Sequence, residues 1–125
     1  RCLYEMTQQD CVAGARFDDQ IACFGFIDNS NFNVDQAGAY GIPYRALIPR
    51  DSSNLLIAGR MMTVDTVAHN STRNTVCCLV CGQAAGTAAA LAARNRTSPA
   101  SVNVEQLQDS LRRAGALIEP RAESN

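Results

Sequence analysis

Residues 54–93 constrain the fold more than any other part of the chain. Asn54-Leu-Leu-Ile-Ala-Gly-Arg60 holds a short run, Leu55 to Ala58, that is apolar at every position and closed by Gly59. A strand apolar on both faces belongs in a parallel sheet covered by helices on both sides, and this predicts an α/β fold. From about Thr75 to Ala93 the residues are small or apolar, with helix formers concentrated in Ala88 to Ala93, so the second half is expected to be a helix. Gly82 and Gly86 stand four residues apart on one face of that helix, where missing side chains permit close approach of another backbone or a flat ligand. Between strand and helix lies a polar segment, predicted as a loop, with the only histidine, His69. In open α/β sheets ligands sit beyond the carboxyl ends of the strands, which puts Gly59 and Arg60 where a cofactor is expected.

Asn54-Leu-Leu-Ile-Ala-Gly-Arg60, Ala68-His-Asn-Ser-Thr-Arg73 and Gly82-Gln-Ala-Ala-Gly-Thr-Ala-Ala-Ala-Leu91 resemble the C-terminal region of FAD-dependent oxidoreductases of the broad glutathione-reductase-like class. Phe17-Asp-Asp-Gln-Ile-Ala22, Phe26-Ile-Asp28 and Ile42-Pro-Tyr-Arg-Ala-Leu-Ile-Pro49 resemble that family's approach to its last sheet strand, and Val104 to Gly115 its closing helix. The resemblance implies the C-terminal part of an FAD-binding Rossmann-like domain plus the end of a substrate-covering domain, incomplete on its own. Residues 1–50 would be the covering region and return segment, 51–119 the flavin-domain part, and 120–125 a tail. FAD is the implied cofactor, with Gly59, Arg60, Gly82, Gln83 and Ala84 near its ribityl and isoalloxazine parts. His69 and Arg73 are the implied catalytic pair, and Tyr44 and Arg45 face either a small-molecule substrate or, as a packed tyrosine and a solvated arginine, nothing.

Two placements of the flavin-facing helix end are compatible with the sequence. A contact through Gly82, Gln83 and Ala84 requires a break near Cys81, whereas a helix beginning near Thr75 would offer the amides of Asn74, Thr75 and Val76. The class holds the ADP half of FAD on a G-x-G-x-x-G turn, and that pattern occurs nowhere in the 125 residues. The expected partner is therefore the remaining N-terminal part of the flavoprotein or a companion subunit, and the chain alone is expected to be inactive. The alternative is a non-catalytic binding or assembly module derived from a flavoprotein.

With 46% hydrophobic residues and a formal charge of -1, the chain fits neither a disordered segment nor a basic nucleic-acid binder. All eleven basic residues are arginine, which excludes a lysine Schiff base. Cys77-Cys78-Leu-Val-Cys81 contains a C-x-x-C, but the remaining cysteines are scattered and the spacing falls within helical sequence, so packed, reduced thiols are favoured over a redox pair or a metal site. The run Val76 to Ala93 is long enough to span a membrane but rich in alanine and glycine, and no membrane span is expected. A cytoplasmic location is expected; the sequon at Asn70, in a loop expected to be buried, is set aside, and that at Asn95 is a weak signal.

The rest of the chain reads as follows. Tyr4 to Thr7 reads as a strand end, Gln8 to Asp10 as a turn or helix start with Asp10 as cap, and Phe17 to Ala22 as a short helix or bend. Ala22 to Ile27 is a strand ending at the turn 28–31, and 33–41 a loop. Ile42 to Pro49 is extended but barred from a central sheet position by its prolines. Asn103 caps a closing helix with Gln106 three residues on, Val104, Leu107 and Leu111 form its apolar stripe, and Gly115 ends it.

Overall fold

The computed structural model of the chain describes residues 1–25 and 38–120. Its first helix, α1 (Gln8–Val12), begins at Thr7. The Thr7 hydroxyl accepts the Asp10 amide at 3.2 Å while the Asp10 carboxylate accepts the Thr7 amide at 2.8 Å. This is a capping box, so Thr7 is the cap and Asp10 its reciprocal partner, one turn away from the predicted role. The Asp10 carboxylate also receives the Tyr4 hydroxyl.

Strands β1 (Gln20–Phe24) and β2 (Tyr40–Pro43) pair antiparallel, with Ala22 opposite Ile42, Cys23 opposite Gly41 and Phe24 opposite Tyr40, and an irregularity between Gln20 and Ala22. The predicted strand from Ala22 thus starts two residues earlier, and the helix or bend expected through Ala22 gives way to it. Ile27 and the turn 28–31 lie outside the described residues, as do 33–37 and 121–125. Tyr40 and Gly41, predicted as loop, are paired strand. Pro43 ends β2, a position that needs no further ladder donor, and Tyr44–Leu47 then tightens into a 3-10 turn instead of staying extended. Single bridges tie Cys2 to Pro49 and Met6 to Val64.

Among the described residues the sheet has two strands, and the doubly covered parallel strand expected at Leu55 to Ala58 is not formed. The Ile57 amide donates to the Leu47 carbonyl at 2.9 Å, but no strand runs beside the segment and Leu55 is 50% exposed. A strand is defined by its neighbours, and an apolar run without them stays an unpaired extended segment. The architecture is a mixed helix and sheet assembly, in keeping with the α/β expectation at that coarse level.

Two further helices follow in succession. α2 (Thr66–Thr72) occupies the segment predicted as a polar loop, and α3 (Thr75–Asn95) runs unbroken through Cys81 and Gly82. The break near Cys81 is therefore absent, and the helix begins at Thr75. Every third or fourth residue of α3, namely Cys77, Cys81, Ala84, Ala88, Leu91 and Ala92, is buried, which is the spacing of one helix face. Their small side chains let α3 settle closely on β1 and the 3-10 turns. By length and composition α3 is also apolar enough to cross a membrane, and a third of its most apolar window is buried inside the fold.

The closing helix, α4 (Val104–Arg113), behaves as its sequence predicts. Asn103 Oδ1 accepts the Gln106 amide at 2.8 Å, Leu107 and Leu111 are buried, and Gly115 has φ +81 beyond the last turn. Gln108 Nε2 donates to the Asp18 and Gln20 carbonyls, the Cys23 amide donates to the Leu117 carbonyl, and Gln20 Nε2 donates to the Ile118 carbonyl. α4 and the chain after it are thereby stitched to β1.

Candidate functional site

Three backbone features meet at one corner: the turn Gly59–Met61, the C-terminal end of α2 and the N-terminal end of α3. Asp65 creates the first half. Its carboxylate accepts the Val67 and Ala68 amides at 2.9 and 2.7 Å, capping α2, and takes the Gln8 amide at 2.6 Å. Four helical residues on, His69 presents a half-buried side chain, and the Arg73 amide closes α2 on the His69 carbonyl at 2.9 Å. Asn74 then caps α3, its Oδ1 accepting the Val76 amide at 3.2 Å while its carbonyl accepts the Cys78 amide at 3.0 Å.

Gly59 has φ +66, a conformation that costs any L side chain. It starts a 3-10 turn closed by the Met62 amide on its carbonyl at 3.1 Å. The turn lies on α3, since a Cβ built on Gly59 would stand 3.5 Å from Cys78 Cβ and Sγ. Arg60 Nε reaches the Arg73 carbonyl at 3.4 Å, so the two arginine positions are joined through backbone. Around them Met61, Val76 and Leu79 expose 70%, 56% and 67% of their surface. Between Ser52 and Val104 the sequence has one acid, Asp65, against Arg60, Arg73, Arg94 and Arg96, and Asp65 is engaged at the far end of α2. The corner thus exposes apolar surface, and the start of α3 is largely capped from within, the Asn74 amide donating to the Ser71 carbonyl at 3.2 Å and the Val76 and Cys78 amides to Asn74.

Gly59, Arg60 and Arg73 are brought together here and His69 lies one turn before Arg73 on α2, but the other predicted residues lie elsewhere. Gly82 and Gln83 are exposed and Ala84 buried in the interior of α3, where backbone amides belong to the helical ladder. A Cβ on Gly82 or Gly86 would meet nothing within 4 Å, so no other described backbone makes the close approach anticipated there. Tyr44 is 2% exposed and its hydroxyl donates to the Pro99 carbonyl at 2.7 Å, beyond the opposite end of α3. Burial pushes this phenol up to about 12. Arg45 pairs with Asp19 at 2.5 Å and stacks over the rings of Tyr4 and Phe17, 4.8 and 5.3 Å from their centroids. A cleft lined by Asn54, Leu56, Ala89, Ala93, Thr97 and Pro99 also lies toward that opposite end.

Beneath the corner are three of the cysteines. The Cys77 thiol hydrogen-bonds to Cys81, which together with burial pushes Cys77 up and, with an added bond from the Gly59 backbone, lowers Cys81 against its burial. Cys11, beside Tyr40, is pushed up to about 12 by burial. Tyr40 meets the Ser71 hydroxyl at 2.6 Å, joining β2 to α2. Among the described residues no group of three histidine, cysteine or acidic side chains is placed to hold a metal ion. The sequence reading passed over Asp65, although an aspartate ahead of Thr66-Val-Ala is a helix-start signal. It also passed over the exposed Met61 and Leu79, for which sequence carries no signal.

The family model for FAD dependent oxidoreductase matches residues 1–111, and the chain belongs to that family. FAD is thus its family's cofactor, and oxidoreductase chemistry its family's activity. Neither the curated proteins nor the solved structures give a match.

Proposed function

We propose that this chain supplies the flavin-facing and substrate-facing corner of an FAD-dependent oxidoreductase, acting as the C-terminal part of a larger flavoprotein or beside a companion subunit. The observation that supports the reading is the convergence of the left-handed Gly59, Arg60 and Arg73 at the N-terminal end of α3. The donor set fits the cofactor. Guanidinium groups stabilise negative charge, and Met61, Val76 and Leu79 offer apolar surface to a flat ring.

FAD supplies the acceptance of a hydride from a small-molecule substrate. Toward it, Arg60 and Arg73 would set the field, the Gly59 turn would hold them beside the cofactor, and the half-buried His69 imidazole would take or give a proton at the substrate or flavin. Gly82 and Gln83 would contribute through the outer surface of α3 and not through amide donation, and Ala84 through packing. Tyr44 and Arg45 shape the covering region from within.

The test is rapid-reaction kinetics on the intact flavoprotein. His69→Ala is expected to slow flavin reduction at least about tenfold, the lower range for a lost acid-base group, with flavin content unchanged. An unchanged rate returns His69 to a structural role, and a variant that loses flavin instead places His69 in cofactor binding.

A further inference from the structure

Cys78 occupies the point where the three parts of the corner touch. On one side its Cβ and Sγ form the floor under Gly59, 3.5 Å from where a Cβ on that residue would stand. On the other its thiol faces the last carbonyls of α2, with Sγ 3.9 Å from the Thr72 oxygen and 3.7 Å from the Arg73 oxygen. These are the ranges of weak S–H donation. The Arg73 carbonyl it faces is the one that receives Arg60 Nε at 3.4 Å. Cys78 itself is fixed, because its amide donates to the Asn74 carbonyl in the first turn of α3.

We infer that Cys78 is a positioning residue: its side chain sets the spacing between the Gly59–Met61 turn and the α2–α3 corner, and so holds Arg60 and Arg73 at the start of α3. The size of the side chain matters as much as its donor. A methyl in place of sulfur leaves the two carbonyls without the thiol and the turn without part of its floor. A β-branched side chain adds a second methyl in the gap between α3 and the Gly59 turn, where a Cβ on Gly59 would already be in contact. Serine keeps a hydroxyl donor on a side chain of nearly the same shape. The relevance to catalysis rests on the reading that this corner faces the flavin, while the positioning itself does not.

The experiment is residue-resolved amide hydrogen exchange on the 125-residue chain carrying Cys78→Val, Cys78→Ala or Cys78→Ser, followed by reductive titration of the intact flavoprotein with the same changes. The Met62 amide, bonded to Gly59, reports the turn, and the Leu107 amide, bonded to Asn103 at 3.0 Å, reports the rest of the fold. Expected are Met62 exchange accelerated at least about tenfold in Cys78→Val, a smaller acceleration in Cys78→Ala and near-native exchange in Cys78→Ser, with Leu107 unchanged throughout. Unchanged Met62 exchange in both Cys78→Val and Cys78→Ala overturns the inference, as does equal acceleration of Met62 and Leu107 in Cys78→Ala, which shows general destabilisation. If Cys78→Val does not fold, the Ala and Ser pair decides alone. A displaced turn with an unaltered flavin potential upholds the positioning and refutes the flavin reading, so the two fail separately.

Discussion

Replacing Asp65 with alanine tests how the candidate site is built, because this one carboxylate starts the helix that carries His69 and Arg73. Two of its three hydrogen bonds, to the Val67 and Ala68 amides, form the N-cap of α2, and losing such a cap costs about 1 kcal/mol. The third, to the Gln8 amide at 2.6 Å, ties α1 to the same point. A hydrogen bond to a charged group contributes about 1.5–3 kcal/mol, and its exposed position argues for the lower end. Asp65→Ala is therefore expected to lower the unfolding free energy by about 2–3 kcal/mol. Asp65→Asn retains an acceptor for the cap but turns an amide donor toward either the Gln8 N–H or the helix start, and is expected to recover about half. Urea denaturation followed by far-ultraviolet circular dichroism measures both, with the slope unchanged if only the native contacts are lost. A loss under about 0.5 kcal/mol for alanine, or equal losses for alanine and asparagine, would refute this account of the cap.

The C-cap of α3 is Arg96, at φ 53 and ψ 45, a left-handed position that favours glycine. Arg96→Gly is expected to raise stability by about 0.5 kcal/mol, strain relief of about 1 kcal/mol being partly offset by the greater freedom of glycine in the unfolded chain, and a fall in the urea midpoint would contradict this. Alkaline stability follows from Cys11 and Tyr44, raised from 9.0 and 10.0 to about 12 by burial. Their folded forms hold protons that the unfolded chain releases first, so stability is full below about pH 9 and falls as pH rises toward 12. Denaturation midpoints at pH 8, 10 and 11 should decline in that order, and a flat profile would show that these groups are reached by water in the folded state.

Features written in local chemistry were legible in the sequence. Asn103 as a cap, Gly115 as a helix end, and α3 as a helix follow from side-chain acceptors, backbone freedom and composition, and none needs a distant partner. Gly59, Arg60 and Arg73 lie near one another in the fold, because the short connection between Gly59 and α3 cannot carry them far apart. Tyr44 and Arg45 were not separable by such reasoning. Their neighbours are Pro99, Asp19, Tyr4 and Phe17, which come together only on folding. The polar segment around His69 became α2 because Asp65 supplies the acceptor that the first helical amides need, outweighing the modest propensities of Thr66, Asn70, Ser71 and Thr72.

The strand expected at Leu55 to Ala58 and the close approach expected at Gly82 and Gly86 failed for a common physical reason. Each was inferred from what the residues lack: polar side chains in one case, any side chain in the other. Such omissions prescribe a neighbour without being able to supply it. Among the described residues no strand stands beside the first and nothing lies within 4 Å of a Cβ at the second. Leu55, Val76 and Leu79 are left at least half exposed. By contrast, the buried face of α3 was built from residues whose partners are present, and Cys77, Cys81, Ala84 and Ala88 are all wholly covered. The corner at Gly59 belongs with this second group, since Cys78 provides its floor and Arg73 its backbone acceptor. Its geometry is therefore set within the chain, and this is why it can be probed in the 125 residues alone even where its proposed chemistry requires the flavin.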